Sequence, residues 1–278
     1  MGNVQSMMCQ NLERILDKAW LRNNPNHTYN QWITKPEDSE EKLFLSRLDN
    51  YVGKTNPRLH TKTMRSKLRN SQGFVDTYYE LEVGCFLIDN GFDVNFEKAL
   101  CDGKSKCITP DIFVEKDNVI VEVKTIHRSF EVEKGMKSGK VFKYDEAKRI
   151  KDDILSELQK YRGQGITYPL IVIECLDFIK RPLVAPDDFQ TVLYYRGDSC
   201  IFLRNGTLRR TSNVEYQGLY YDDEGRHAER LSGVGLWGRK KILFYENPNV
   251  NKDSKIPASR LLDFLKRFRS DHYSISDE

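Results

Sequence analysis

Three charged residues, Asp111, Glu122 and Lys124, lie in short segments that otherwise carry β-branched and aromatic side chains. A polar turn, Glu-Lys-Asp-Asn, separates the two segments, and this pattern predicts a β-hairpin. Because side chains alternate across a strand, Glu122 and Lys124 share one face. Two carboxylates held close together repel each other and need a cation, and hard oxygen ligands suit Mg²⁺.

The length of the turn decides which residues of the hairpin face each other. A two-residue turn would place Asp111 opposite Lys124, whereas a four-residue loop would pair Val114 with Val119 and place Asp111 opposite Glu122. Either register brings two carboxylates and one ammonium together on one sheet face. A lysine beside a metal can position a water and stabilise charge on a phosphate, so the pattern indicates phosphodiester hydrolysis.

The residues Pro110-Asp111 and Glu122-Val123-Lys124 resemble the signature of the PD-(D/E)XK nuclease superfamily, which contains restriction endonucleases, Holliday-junction resolvases and repair nucleases. The resemblance implies that Asp111 and Glu122 bind one or two Mg²⁺ ions, for which Mn²⁺ is expected to substitute. It also implies that the Val123 carbonyl is a candidate further ligand and that Lys124 positions the attacking water.

A leading helix is predicted from Phe74 to Gly91, because its apolar residues recur at helical spacing and glycine is a good C-terminal stop. A strand is predicted directly after it. Glutamate near the start of the first core helix resembles the superfamily's leading motif, in which this residue completes the metal shell. Glu80 is the preferred assignment, Glu82 competes with it, and an exposed helix carboxylate is the non-functional alternative.

A second helix is predicted from Tyr144 to Arg162, where one apolar stripe recurs at helical spacing. The superfamily often carries a glutamine or lysine on this helix, followed by a tyrosine. The resemblance assigns this catalytic place to Gln159, with Lys160 and Tyr161 as weaker assignments. An ordinary helix end explains the same residues.

The predicted order of elements is helix, three strands, helix and strand, the last being the apolar run Leu170–Cys175. The expected fold class is therefore α/β, with a restriction-endonuclease-like αβββαβ core and a mixed central sheet. We expect that core to span residues 71–178. An N-terminal helical segment, residues 1–70, precedes it, and a C-terminal α+β extension, residues 179–278, packs on it.

The formal net charge of +3 is nearly balanced, so only local basic clusters indicate nucleic-acid binding. One such cluster runs from Lys54 to Arg69, and it is either a solvated face or an arm that contacts phosphates. Another runs from His127 to Lys143 and allows the same two interpretations. His127 is more simply a surface histidine than a catalytic one.

The six cysteines include no C-x-x-C pair. Cys85 and Cys175 lie in apolar runs and are expected to be buried thiols. Cys101 and Cys107 flank a polar loop, and zinc binding there lacks further ligands at suitable spacing. With no signal peptide or membrane-spanning run visible, a reducing cytoplasmic location and no membrane partner are the default expectations.

Together these features predict a Mg²⁺-dependent phosphodiesterase, specifically a deoxyribonuclease that acts as an endonuclease of restriction, defence or repair type. The expected partner is nucleic acid, with DNA preferred, and the sequence leaves open a homodimer or a partner subunit. The alternative is a catalytically silent nucleic-acid-binding protein that keeps the nuclease fold. A third interpretation makes the three charges a buried ion network in an interaction protein.

Overall fold

The structure is a computed structural model. It describes residues 9–55, 61–71, 73–101, 107–126, 146–161, 168–176, 193, 196–202, 208–217, 219, 231–238, 241–247 and 259–268. None of the helices in these ranges is both long enough and apolar enough to cross a membrane.

The chain forms two compact units. Unit 1 comprises Met1–Thr125 with Asp177–Lys180, and unit 2 comprises Ile126–Leu176 with Arg181–Glu278. The hairpin that carries Asp111, Glu122 and Lys124 belongs to unit 1, whereas Gln159 belongs to unit 2.

Six described helices precede the first strand of unit 1: α1 (Gln10–Leu16), α2 (Lys18–Asn23), α3 (Thr28–Ile33), α4 (Glu40–Thr55), α5 (Thr61–Arg69) and α6 (Gly73–Asp89). Aromatic rings join α3, α4 and α6: Phe44 stacks on Tyr78 with ring centroids 4.0 Å apart, and Trp32 meets the edge of Phe44. These rings are large apolar surfaces, and their burial fixes α6 at the centre of the helical layer.

Helix α6 confirms the predicted leading helix and its glycine stop. Eleven of its seventeen residues are buried, so other parts of the protein cover most of its circumference. The helix ends because Gly91 has a φ of 81°, a left-handed conformation that glycine adopts without strain, and its N–H donates to the Ile88 carbonyl. The chain then turns directly into the first strand.

The strands of unit 1 are β1 (Val94–Phe96), β2 (Leu100–Cys101), β3 (Cys107–Ile108), β4 (Ile112–Val114) and β5 (Val119–Ile126). Strand β4 pairs antiparallel with β1 on one side and with β5 on the other. Val114 pairs with Val119, so the four-residue loop is the correct alternative and the two-residue turn is wrong. Asn118 has a φ of 53° in that loop, a conformation that asparagine tolerates better than most residues.

Strands β2 and β3 form a separate two-stranded sheet in a region for which the sequence predicted only a polar loop. A disulfide joins Cys101 to Cys107 across this pair. The zinc alternative for these two cysteines is therefore wrong in this structure, because both sulfurs are bonded to each other. Cys85 and Cys175 are buried thiols outside any disulfide, as predicted.

Unit 2 contains α7 (Glu146–Tyr161), β6 (Leu170–Leu176), β7 (Arg196–Phe202), β8 (Leu208–Gln217), β9 (Leu231–Gly238), β10 (Lys241–Glu246) and α8 (Arg260–Lys266). Strand β6 is buried along nearly its whole length, as its apolar composition predicts, and pairs parallel with β9. Strand β9 pairs antiparallel with β10, and β7 with β8.

The chain is thus α/β, with a mixed sheet that contains parallel and antiparallel strand pairs. The predicted helix, strands, helix and strand all occur in the predicted order, with the short β2–β3 sheet inserted between the first two core strands. The basic connection that contains His127 lies outside the described residues.

Candidate functional site

Lys67 lies at the centre of an acidic cluster in unit 1. Its Nζ atom is 2.7 Å from Glu80 Oε2, 2.8 Å from Glu97 Oε1 and 3.4 Å from Asp111 Oδ1. The side chains of Glu80 and Glu97 are 8% and 4% exposed, whereas that of Lys67 is 30% exposed. The Lys67 ammonium therefore contacts three carboxylates, two of which are nearly excluded from water.

The packing of α5 and α6 brings the side chains of Lys67 and Glu80 together. On α5, Met64 and Leu68 are fully buried, and Lys67 lies beside them on the edge of this apolar face because residues three apart are neighbours on a helix. On α6, Glu80 lies one turn before Gly84, on the same face of the helix. The two helices supply the cation and the first carboxylate.

The strands supply the remaining acids as one row across the sheet. Phe96 pairs with Ile112, and Ile112 pairs with Val121. One residue further along, the same register places Glu97, Asp111 and Glu122 side by side. Residues directly opposite each other on antiparallel strands have Cβ atoms about 5 Å apart, so the row concentrates negative charge.

The backbone at Glu97 is strained. Its φ is 50°, which is uncommon for a residue other than glycine, and its N–H donates to the Asp111 carbonyl at 3.1 Å. This bond continues the pairing of β1 with β4 by one residue. The Oε2 atom of Glu97 is buried and has no hydrogen-bond partner among the described residues. Strained residues and unsatisfied polar atoms cluster at functional sites.

Both carboxylate oxygens of Asp111 are engaged. Oδ1 faces Lys67, and Oδ2 accepts a hydrogen bond from the Val123 N–H at 3.0 Å. The second bond fixes the aspartate against the strand that carries Glu122 and Lys124. Glu122 is buried and Lys124 is half-buried on β5, and both make interactions within the protein.

Burial and charge perturb the pKa values in this cluster. Burial, and then the negative charge of Asp111, raise the pKa of Glu80 from 4.5 to about 8, although Lys67 opposes the shift. Burial lowers the pKa of Lys67, but the charges of Glu80 and Asp111 outweigh it, so the net shift is upward. Both pKa values are raised, but the consequences are opposite: the shift keeps Lys67 charged, whereas it favours the neutral form of Glu80.

Glu82, the competing candidate on α6, has a different environment. It is buried and accepts hydrogen bonds from the hydroxyl groups of Tyr51 at 2.9 Å and Tyr78 at 3.0 Å. Two tyrosine donors satisfy a carboxylate within the aromatic core. The structure brings Glu80, and not Glu82, to Lys67 and Asp111, while the assignment of Glu80 as a metal ligand stays a prediction.

Gln159 lies near the C-terminal end of α7 with its side chain exposed. Its neighbour Lys160 pairs with the buried Glu157 on the same helix, and Tyr161 is buried. The catalytic assignment of Gln159 stays a prediction.

The described residues include no group of three or more His, Cys, Asp and Glu side chains placed to hold a metal ion. Instead, the carboxylates converge on Lys67. The donor set nevertheless fits a hard divalent cation, because carboxylates are its preferred ligands and one buried oxygen of Glu97 has no hydrogen-bond partner in the described chain. Which of these residues bind metal stays a prediction.

The sequence interpretation missed two members of the cluster, Lys67 and Glu97. Lys67 was one basic residue among six between Lys54 and Arg69. Its signal was its spacing from two apolar residues, Met64 and Leu68, which places it at the edge of a buried face. Glu97 follows a three-residue strand, and only the sheet register aligns it with Asp111.

Comparison of the chain with protein-family models, curated proteins and solved structures finds no match.

Proposed function

We propose that this chain is a metal-dependent nuclease that hydrolyses phosphodiester bonds, acting on DNA as an endonuclease of restriction, defence or repair type. The observation that carries the proposal is the convergence of Glu80 and Asp111, which lie 31 positions apart in the sequence, on one cation next to the Glu122-Val123-Lys124 strand. Glu80, Asp111 and Glu122, which the family resemblance assigns as metal ligands, thus lie near one another, with Asp111 opposite Glu122 in the strand register.

Glu80, Asp111 and Glu122 would hold Mg²⁺, with the Val123 carbonyl as a further oxygen donor. When bound, Mg²⁺ would supply Lewis-acid stabilisation of charge on the phosphate and on the leaving oxygen. Asp111 is oriented for this role by the Val123 N–H, which leaves its Oδ1 turned toward the cluster. In the proposal, Lys124 holds the attacking water through its ammonium.

The alternative is a nucleic-acid-binding protein that has the nuclease fold but no turnover. One observation favours it: the cation among the carboxylates is the protein's own Lys67. If that ion pair persisted in every state of the protein, the carboxylates would have no capacity for a metal. The two candidates therefore differ in whether divalent metal binds and in whether the bound metal supports cleavage.

The first test is cleavage of supercoiled plasmid, linear duplex and single-stranded DNA or RNA with Mg²⁺ or Mn²⁺. Lys124→Ala is expected to lower the cleavage rate at least ~10²-fold, the usual worth of a positioned acid–base group, while DNA affinity changes little. Lys116→Ala is the matched control, because Lys116 is exposed in the turn of the same hairpin. Equal cleavage by the two variants would contradict the role of Lys124.

A second variant, Asp111→Asn, tests the metal site itself. It keeps the shape of the side chain and an oxygen that can accept from the Val123 N–H, but removes the negative charge that a divalent cation needs. Metal-dependent cleavage is expected to disappear, and Asp117→Asn in the turn serves as the control. Full activity of Asp111→Asn would overturn the metal-site proposal, and metal binding without cleavage by the wild-type protein on every substrate would favour the silent alternative.

A further inference from the structure

We propose that the Lys67 ammonium is an exchangeable counter-ion that occupies the place of a divalent cation, and that Glu97 is an additional ligand for that cation. This inference rests on the proposed metal-dependent function and deepens it. The sequence resemblance assigns a role to neither residue.

The charges around Lys67 favour a divalent cation at this position. Glu80, Glu97 and Asp111 face Lys67 within 3.4 Å, so three acids share one ammonium. Paired buried charges are tolerated when they balance, whereas an excess of buried carboxylate is costly. A divalent cation carries two positive charges and would therefore neutralise more of this set than the Lys67 ammonium does.

One carboxylate oxygen of Glu97 accepts no hydrogen bond from the described chain. One oxygen, Oε1, contacts Lys67 at 2.8 Å, while Oε2 is buried without a hydrogen-bond partner in the described chain. The residue as a whole is about nine-tenths buried, and its carboxylate points into the acidic cluster through Oε1. An oxygen excluded from water and free of donors is available to a metal without first losing a hydrogen bond.

The carboxylates and the Lys67 ammonium differ in how freely they can move. The carboxylates come from the centre of α6 and from a row across three paired strands, which hold them in place. Lys67 is attached by a long flexible side chain to α5 and is the most exposed member of the cluster. Its ammonium can therefore move toward solvent while the acids stay. Lys62 and Arg65 on the same helix are exposed, so Lys67 would join them on a basic surface after release.

The test measures metal binding rather than cleavage. Mn²⁺ binding is followed by calorimetry, and melting temperature is recorded with Mn²⁺ or with EDTA, for the wild type, Lys67→Met and Glu97→Gln in the full chain. Lys54→Met is the control, because Lys54 pairs with Asp89 on the surface of the same unit. If Lys67 occupies the carboxylates ~90% of the time, its removal raises the apparent Mn²⁺ affinity ~10-fold.

Lys67→Met is expected to melt below the wild type in EDTA and to regain stability with Mn²⁺, whereas Lys54→Met shows no such metal dependence. Glu97→Gln retains Lys67 and has one buried negative charge fewer, so it is expected to fold without metal and to bind Mn²⁺ at least ~10-fold more weakly. If Lys67→Met cannot be purified folded without metal, its recovery with Mn²⁺ in the buffer, and not with EDTA, is the supporting result.

The outcomes separate this inference from the proposed function. If the wild type binds Mn²⁺ and cleaves, but Lys67→Met binds Mn²⁺ with unchanged affinity, the counter-ion role is wrong and the nuclease proposal stands. If Glu97→Gln binds Mn²⁺ as the wild type does, Glu97 is not a ligand. If neither the wild type nor Lys67→Met binds Mn²⁺, both proposals fail, and the cluster is a structural ion network.

Discussion

Close packing of Gly84 against Phe96 sets the distance between the helix and the strand that carry the acidic cluster. Gly84 lies one turn after Glu80 on α6, and Phe96 immediately precedes Glu97. A Cβ atom added at Gly84 would overlap Cζ and Cε1 of Phe96 and lie 3.3 Å from Cε2. Phe96 is buried, so its ring has no solvent-filled space to move into.

Gly84→Ala tests this contact. In an exposed helix the same change would stabilise the protein by ~1 kcal/mol, because alanine is the better helix former. Here the ring must retreat by about 1.5 Å to restore ordinary van der Waals separation. Overpacking of a core costs 1–3 kcal/mol, so we expect Gly84→Ala to lower the free energy of unfolding by ~2 kcal/mol and to weaken Mn²⁺ binding by moving Glu80 away from Glu97.

A double-mutant cycle with Phe96→Leu identifies the cause. Leucine lacks the ring atoms that the new methyl group would overlap, and Phe96→Leu alone leaves a cavity beside Gly84. The alanine methyl group partly fills that cavity. The double variant is therefore expected to be more stable than the sum of the two single destabilisations predicts, by at least ~1 kcal/mol. Urea denaturation measures all four proteins. An unfolding free energy of Gly84→Ala equal to or above that of the wild type would refute this packing argument.

Two further predictions concern pH and redox state. The folded-state pKa of Glu80 is raised from 4.5 to about 8, so the stability that its neutral form supports is full below pH 4.5 and is lost as pH rises through about 8. In EDTA, Glu80→Gln should therefore gain ~4 kcal/mol relative to the wild type between pH 5 and 9 by urea denaturation, and a constant difference would contradict the shift. The Cys101–Cys107 disulfide closes a separation of only six residues, so replacing both cysteines by serine should lower the unfolding free energy by no more than ~2 kcal/mol. Calorimetry should find the Mn²⁺ affinity of this double variant unchanged. A large loss of affinity would show that the disulfide supports the site.

Local pattern was enough to predict the elements that carry the assigned residues. Helical spacing and a glycine stop predicted α6, and the apolar run Leu170–Cys175 predicted the buried strand β6. These features depend on residues close together in the chain. The hairpin register remained open in the sequence, because both turn lengths satisfied the alternation of side chains, and the structure resolves it through the pairing of Val114 with Val119.

Lys67 and Glu97 could not be assigned from local pattern, because their partners lie far away in the chain. Lys67 is 44 positions from Asp111, and its neighbours Lys62 and Arg65 carry the same charge. Only the packing of α5, through Met64 and Leu68, distinguishes the inward lysine from the outward ones. The sequence interpretation treated the whole basic stretch as either solvent-facing or phosphate-binding, and neither alternative placed a lysine among the acids.

The acids that surround Lys67 distinguish two interpretations of the cluster, a structural ion network and a metal site. An ion network retained only for stability would be expected to balance its charges, because each unneutralised buried carboxylate opposes folding. Here three acids face the Lys67 ammonium, one of them has a strained backbone, and a fourth, Glu122, lies in the adjacent position of the same row. The raised pKa of Glu80 favours a neutral, protonated carboxyl group in the metal-free protein, which reduces this cost. A divalent cation would remove the need for that proton, so Mn²⁺ binding at pH 7 should release protons into the buffer, whereas a network that excludes metal would release none.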